Sequence, residues 1–207
     1  MASPARASGH PRSGRPRASS RETLAEAACE LFLEQGYEAT SIADISQRAG
    51  VSRSSFFNYF GSKSDVLWSG LDARIERIQE SVGAGMPVAD AMGAALSDFV
   101  PDALAVALVN ARTMGADDEL ERDAAVRAAR VARAVADRAR GAGSDALRSE
   151  VEGAVVGGAL IAALRIWAAE GPGTTSLLEV VTRALDVAGR GTAPAVGADG
   201  SARSPFA

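Results

Sequence analysis

The sequence has very few of the residues from which disulfides, metal sites and catalytic triads are built. Cys29 is the single cysteine among 207 residues, so the sequence excludes an internal disulfide and a cysteine-rich zinc site. His10 is the single histidine, which argues against a histidine-based triad or a multi-histidine metal centre. The sequence also shows no glycine-rich phosphate loop and no nucleophile–base pair. We therefore expect neither an enzyme nor a protein with a metal ion or a cofactor.

Long hydrophobic runs are scarce as well. The longest strongly apolar run, residues 153–164, has 12 residues, whereas a membrane-spanning helix needs about 20. The N-terminus carries arginines with no apolar stretch behind them, so it does not resemble a secretory signal. Together with the single cysteine, which fits a reducing compartment, this predicts a cytoplasmic protein without a membrane partner.

Basic charge is concentrated at the N-terminus. Residues 1–21 contain five arginines and no acidic residue, so the other 186 residues hold a formal charge of −9 within a total of −4. A basic arm on an acidic body is typical of a chain in which a short segment binds a polyanion. The same arm is also compatible with a tail that only improves solubility.

Helical signals dominate after residue 18, because the sequence is rich in Ala, Leu, Glu and Arg and poor in β-branched alternation. Capping boxes such as Ser41 with Asp44 mark helix starts, and glycines mark helix ends. We therefore predict an all-α protein with helices over about 19–35, 41–49, 52–60, 62–82, 87–99, 101–115, 118–140, 144–170 and 176–189.

Two short helices joined at Gly50 form a helix-turn-helix pattern. Gly50 supplies the positive φ that the turn needs, and an inner apolar face is predicted from Ala43, Ile45, Ala49, Val51 and Phe56. The second helix presents Arg53 near its start, and no acidic residue occurs between Arg48 and Asp65. An acid-free polar surface of this kind suits the negative potential of a DNA major groove.

The segment from Gly36 to Lys63 resembles the DNA-binding domain of TetR/AcrR-family transcriptional regulators. Its sequence runs GYEATSIADISQRAGVS and continues FFNYFGSK, followed by Leu67. The resemblance covers about residues 20–68. Two positions depart from the usual pattern: Ser54 stands where many members have glycine, and Phe57 stands where many have a tyrosine.

The resemblance implies roles at the matching positions. Thr40 would cap its helix and contact phosphate, the polar residues after Ser52 would face the groove, and Tyr59 and Lys63 would hold the DNA backbone. Arginines of the arm could also enter the minor groove. The predicted DNA-binding residues are Arg15, Arg17, Thr40, Ser41, Arg53, Ser54, Ser55, Asn58, Tyr59 and Lys63.

The remaining helices are predicted to serve dimerisation and ligand binding. A single helix-turn-helix makes few base contacts, so we expect a homodimer on a palindromic operator of double-stranded DNA. Small residues of the 144–170 helix, including Gly153, Gly157 and Gly158, permit close approach at an interface, where the resembling family pairs its last two helices. The family's middle helices enclose an effector pocket, for which the candidate residues are Trp68, Leu71, Phe99, Leu104, Leu108, Arg112, Met114, Arg165 and Trp167.

The sequence therefore predicts four regions: a flexible basic arm (1–18), a three-helix DNA-binding domain (19–68), a helical ligand-binding and dimerisation domain (69–190) and a disordered tail (191–207). The predicted function is a sequence-specific transcriptional regulator, a repressor that a small-molecule effector releases from its operator. The alternative is a helical small-molecule-binding protein whose DNA-binding head is degenerate.

Overall fold

The computed structural model describes residues 20–171 and 173–191, and within these ranges the chain is all-α. The predicted fold class is confirmed, and each predicted helix that lies in these ranges is present within a few residues. The helices are α1 (Ser20–Gln35), α2 (Ile42–Arg48), α3 (Arg53–Tyr59), α4 (Asp65–Gly83), α5 (Val88–Leu96), α6 (Ala103–Met114), α7 (Asp117–Gly141), α8 (Ala146–Glu170) and α9 (Leu177–Gly191). The predicted arm and tail, with Arg15 and Arg17, lie outside the described residues.

The first three helices share one small core. Leu24 and Phe32 of α1 pack with Ile45 of α2 and Phe56 of α3, and all four side chains are fully buried. Ala43 is exposed, so its predicted place on the inner face is wrong: the buried face of α2 runs through Ile45, and Ala43 points away from it. Burial of these large side chains fixes how α2 and α3 sit on α1.

The start of α4 differs from the prediction by three residues. Ser62 and Asp65 do exchange the predicted capping bonds, since the Ser62 backbone N–H donates to Asp65 Oδ2 at 3.0 Å and the Asp65 N–H donates to Ser62 Oγ at 3.2 Å. Regular helix nevertheless begins only at Asp65, because residues 63 and 64 form a turn. The capping box therefore fixes the turn that leads into α4, and the regular helix starts only at the last residue of the box, Asp65.

Helix α4 connects the N-terminal core to the rest of the protein by close approach to α6. A Cβ atom at Gly70 would lie only 2.3 Å from Oδ2 of Asp102. The other carboxylate oxygen of Asp102 accepts the Leu104 backbone N–H at 3.0 Å and so caps α6. Burial raises the pKa of Asp102 to about 6. The absence of a side chain at position 70 is what lets this capping carboxylate sit against α4.

Helix α8 is the central element of the C-terminal half and packs against both α7 and α9. By length and composition it is apolar enough to cross a membrane, but half of its most apolar window is buried inside the protein. A helix at the core of a globular domain has the same properties, because neighbouring helices cover it on more than one side.

Candidate nucleic-acid interface

The turn between α2 and α3 has the local chemistry that a helix-turn-helix requires. Ser41 caps α2: its Oγ accepts the Asp44 N–H at 3.2 Å, and Asp44 Oδ2 accepts the Ser41 N–H at 2.9 Å. Gly50 adopts the predicted left-handed conformation, with φ of +68°, which a residue with a Cβ adopts only with strain. Ser52 then caps α3 by accepting the Ser55 N–H at 3.1 Å. The start of α2, the turn itself and the start of α3 are thus each fixed by a residue that the sequence places there.

Helix α3 presents a polar face to solvent. Arg53, Ser54 and Asn58 are exposed, and Ser55 is half-buried. The hydroxyl of Ser52 lies 2.8 Å from those of both Ser54 and Ser55, so the three hydroxyls form a small network at the start of the helix. These groups can donate to phosphate oxygens or to base edges, which makes the N-terminal end of α3 suited to contact with DNA.

Two aromatic side chains flank this polar face. Phe57 is 50% exposed and lies under the guanidinium of Arg53, whose Cζ is 5.7 Å from the ring centroid. Tyr59 is also exposed, and Arg21 of α1 lies 5.7 Å from its ring centroid. The Tyr59 ring thus packs near a second cation at the edge of the surface, where a hydroxyl can reach a phosphate oxygen.

Arg48 and Arg53 differ in whether a carboxylate neutralises their charge. The neighbouring Arg48 is held by Glu30 at 3.2 Å and by Glu34 at 2.7 Å, and this contact lowers the pKa of Glu34. Arg53 has no carboxylate within ion-pair distance among the residues that the structure describes. Of the two arginines, Arg53 is therefore the one free to pair with an anion.

Thr40 lies inside the domain rather than on its surface. Its side chain is 2% exposed, and its hydroxyl donates to the carbonyl oxygen of Gly36 at 2.7 Å and accepts from the Gln35 amide at 3.2 Å. The prediction that Thr40 caps α2 is wrong, because Ser41 supplies the capping oxygen. The Thr40 hydroxyl instead ties the end of α1 to the loop before α2.

Lys63 also has partners within the protein. Its ammonium donates to the carbonyl oxygens of Tyr37 at 2.6 Å and Thr40 at 3.2 Å, and it lies 3.9 Å from the Tyr37 ring centroid. These contacts explain why a cation stands just before α4, where it opposes the helix dipole. Lys63 therefore ties the entry to α4 to the loop between α1 and α2.

Tyr37 connects this loop to the C-terminal half, a role that the sequence did not indicate. Its backbone N–H donates to the carbonyl oxygen of Met114, at the end of α6, at 2.7 Å. Burial raises the pKa of Tyr37 to about 12, although a hydrogen bond with Ser64 acts in the opposite direction. The contact with Lys63 thus joins α6, the α1–α2 loop and the entry to α4.

The nine predicted effector-binding residues do not line one common cavity. Five of them lie in the packed interior: Trp68, Leu71, Leu104, Met114 and Trp167. Phe99 packs edge-on against Trp167 and lines a cleft between α1, α4 and α6. Leu108 and Arg165 line a different cleft, where Arg165 pairs with Glu121, and Arg112 is exposed on α6. The effector site stays a prediction.

An apolar surface runs along α8 and α9. Ile166 is 50% exposed and Val187 is 65% exposed, and small residues lie between them. The surface is lined by Ala154, Val155, Gly158, Ala159, Ala162, Ala163, Ile166, Val180, Arg183, Ala184, Val187 and Ala188. A contiguous apolar patch of this kind is typical of a protein–protein interface.

Residues 24–67 match the family model for bacterial regulatory proteins of the tetR family. Among curated proteins, the chain is 30% identical over 91 residues to a mycofactocin biosynthesis transcriptional regulator, MftR, of Mycobacterium tuberculosis, a match that covers 42% of this chain and 46% of that protein. It is 34% identical over 64 residues to the transcriptional repressor ComR of Escherichia coli, covering 31% of this chain and 30% of that protein. The chain thus spans less than half the length of these relatives.

Among solved structures, the chain is similar to Thermus thermophilus FadR, a TetR-family transcriptional repressor in complex with lauroyl-CoA. The identity is 23%, the match covers 90% of this chain and 100% of that chain, and the TM-score is 0.46.

Proposed function

Because the chain belongs to the tetR family of bacterial regulatory proteins through its N-terminal domain, we propose that it is a sequence-specific DNA-binding transcriptional regulator. We further propose that it acts in the cytoplasm as a repressor, without catalytic activity, and that a small-molecule effector releases it from its operator. The observation that carries the proposal is the exposed, acid-free face of α3, held on a capped turn at Gly50. Groove contact is assigned to Arg53, Ser54, Ser55 and Asn58, and backbone contact to Tyr59 and to the region of Ser41 and Lys63.

Replacement of Arg53 by alanine tests this assignment. We expect affinity for the operator to fall about 10- to 100-fold, because an arginine that pairs with a base edge contributes about 1–3 kcal/mol of discrimination. The preference for the operator over unrelated duplex should fall with it. Tyr59→Phe should instead weaken binding to every sequence alike, since it removes only a phosphate contact. Mobility shifts on the DNA upstream of the protein's own gene, at several salt concentrations, measure both effects.

Arg122→Ala is the matched control, because it removes an equal charge from the exposed side of α7. Its operator affinity should equal that of the parent protein. A loss as large as that of Arg53→Ala would show that the measurement reports net charge only. A parent protein that shifts no duplex even at low salt would favour the alternative of a ligand-binding protein with a degenerate head.

The proposed regulator is a homodimer that joins through the apolar surface of α8 and α9. Ile166→Glu places a charge in that surface, where burial without a partner is strongly unfavourable. Light scattering should then report a monomer, and operator affinity should fall about 100-fold because the two half-sites are no longer bound together. Val109→Glu, at a 59% exposed position of α6 outside this surface, should leave the mass unchanged. A dimeric Ile166→Glu variant would exclude this surface as the interface.

A further inference from the structure

Most arginines in the described part of the body already have a carboxylate partner. Ion pairs within 4.0 Å engage Arg48, Arg74, Arg77, Arg122, Arg127, Arg130, Arg140 and Arg165. Arg133 and Arg138 of α7 belong to the smaller group without one: among the residues that the structure describes, neither guanidinium has a hydrogen-bond or ion-pair partner, and the two line the same groove. Arg133 is exposed, and Arg138, five residues further along the same helix, is half-buried.

These two arginines line one groove, between the C-terminal end of α4 and the C-terminal half of α7. Its volume is about 550 Å³. The lining residues are Gln79, Val82, Gly83, Gly85, Arg130, Arg133, Ala134, Asp137, Arg138 and Gly141. Glycines on one wall leave room for a ligand, and Val82 and Ala134 add a small apolar area. The size suits a small molecule rather than a DNA duplex.

The side chains that line the groove carry a net positive charge, because three of them are arginines and one is an aspartate. Arg130 is neutralised by Asp72 at 2.7 Å, and it also donates to Gln79 at 3.2 Å. Asp137, the one acidic lining residue, shares Arg140 with Glu150. Arg133 and Arg138 have no ion-pair partner among the described residues, and both belong to the wall formed by α7.

Arg138 adds an observation that charge counting does not give. Its Nε atom is buried and has no hydrogen-bond partner. A buried donor without an acceptor is costly, and a guanidinium with a free Nε and a free Nη offers the two parallel donors that bind a phosphate in a bidentate manner. An oxyanion in the groove would pair with both guanidiniums, and a shift of the half-buried Arg138 side chain would present Nε to it.

We propose that this groove is the effector site and that the effector is a small molecule that carries a phosphate group. The regulatory part of this inference rests on the function proposed above. The groove lies at one end of α4, and the N-terminal domain lies at the other, 19 residues away. A helix of that length spans about 28 Å. A ligand that draws α7 toward the C-terminal end of α4 therefore tilts α4, and the DNA-binding domain attached at the other end of α4 moves with it.

Pyrophosphate binding by the full-length protein tests the site, measured by calorimetry at an ionic strength held constant with sodium fluoride. We expect the parent protein to bind pyrophosphate and the double variant Arg133→Gln with Arg138→Gln to bind it at least tenfold more weakly. Arg138→Lys should be intermediate, because it keeps the charge but loses the bidentate donors. Arg148→Gln is the matched control on α8: its position is exposed, and its pyrophosphate affinity should equal that of the parent. Melting temperatures of the variants show that each one folds.

Two readouts separate this inference from the proposed function. Pyrophosphate that binds through Arg133 and Arg138 and weakens operator binding supports the inference in full. Equal pyrophosphate affinity in the parent, the double variant and Arg148→Gln overturns it, as does the absence of binding by the parent. Binding in the groove that leaves operator affinity unchanged overturns its assignment as the effector site. Failure of the unliganded protein to bind DNA contradicts the proposed function, whatever the calorimetry shows.

Discussion

Gly157→Ala is expected to lower the free energy of unfolding by about 3 kcal/mol, although alanine is the better helix former. A Cβ atom at position 157 would lie 2.3 Å from the carbonyl oxygen of Ala128 on α7. Real Cβ contacts do not occur at that distance, and the obstacle is backbone rather than a side chain that can rotate away. The two helices must therefore separate, and the side chains packed between α7 and α8 lose contacts along the whole seam. Urea unfolding at a fixed protein concentration measures the change.

Gly93→Ala is the matched control for this substitution. Gly93 lies within α5, and a Cβ atom built there meets nothing within 4 Å. The exchange should therefore raise the free energy of unfolding by up to about 1 kcal/mol, since it only improves helix propensity. A Gly157→Ala variant as stable as the parent would mean that α7 and α8 lie farther apart than the structure places them.

The glycines of α8 show what sequence reasoning could and could not establish. The sequence correctly predicts that small residues of this helix permit close backbone approach. It does not specify the partner: Gly153 and Gly157 face α7 of the same chain, where their Cβ atoms would meet carbonyl oxygens at 2.2 and 2.3 Å. Gly158, one residue further, lies on the open apolar surface. Two small-residue stripes offset by one position look alike in sequence and differ only in what the fold packs against them.

Local signals in the candidate DNA-binding site were predicted well. The capping box of Ser41, the left-handed Gly50 and the cap at Ser52 are local features: each one depends only on residues that are at most three positions apart. Propensity and hydrogen-bonding chemistry operate at that range. The buried Phe56 likewise follows from the helical period.

Contacts between distant residues were not predicted. Lys63 reaches the carbonyl oxygens of residues 26 and 23 positions earlier in the chain, and no sequence pattern announces a side chain that binds backbone oxygens. Seven of the nine candidate effector residues are apolar positions on helical faces, and the other two, Arg112 and Arg165, are arginines that interrupt such faces. That criterion identifies burial, and it found Trp68 and Trp167 correctly as buried side chains, but it does not distinguish a filled core from the lining of a cavity.

Arg127 is the residue whose loss should damage the joint between α4 and α7 most. Its side chain is 5% exposed, and its Nη2 donates to Asp72 of α4 at 2.6 Å. Asp65 and Asp123 lie 3.6 and 3.8 Å from the same guanidinium. The guanidinium also lies 4.5 Å from the centroid of the Trp68 ring, which attracts a cation electrostatically. One buried guanidinium thus lies within 4.0 Å of three carboxylates drawn from both helices.

Arg127→Met keeps the aliphatic bulk and removes the charge, and we expect it to lower the free energy of unfolding at pH 7 by about 3 kcal/mol. The loss is large because the carboxylates stay half-buried without their counter-ion, although Arg130 still pairs with Asp72. Arg122→Met is the matched control on the same helix: its guanidinium pairs with Glu119 in solvent, so no measurable loss is expected.

The deficit of Arg127→Met should shrink as the pH falls. Burial already raises the pKa of Asp123 in the folded state, and without the Arg127 guanidinium that pKa rises further. The folded protein then binds more protons than the unfolded chain between the ordinary aspartate pKa and the raised value, so its stability falls as the pH rises through that window. Unfolding at pH 5 should therefore show a smaller difference from the parent than unfolding at pH 7. An equal difference at both pH values would mean that the loss comes from packing against Trp68 rather than from uncompensated carboxylates.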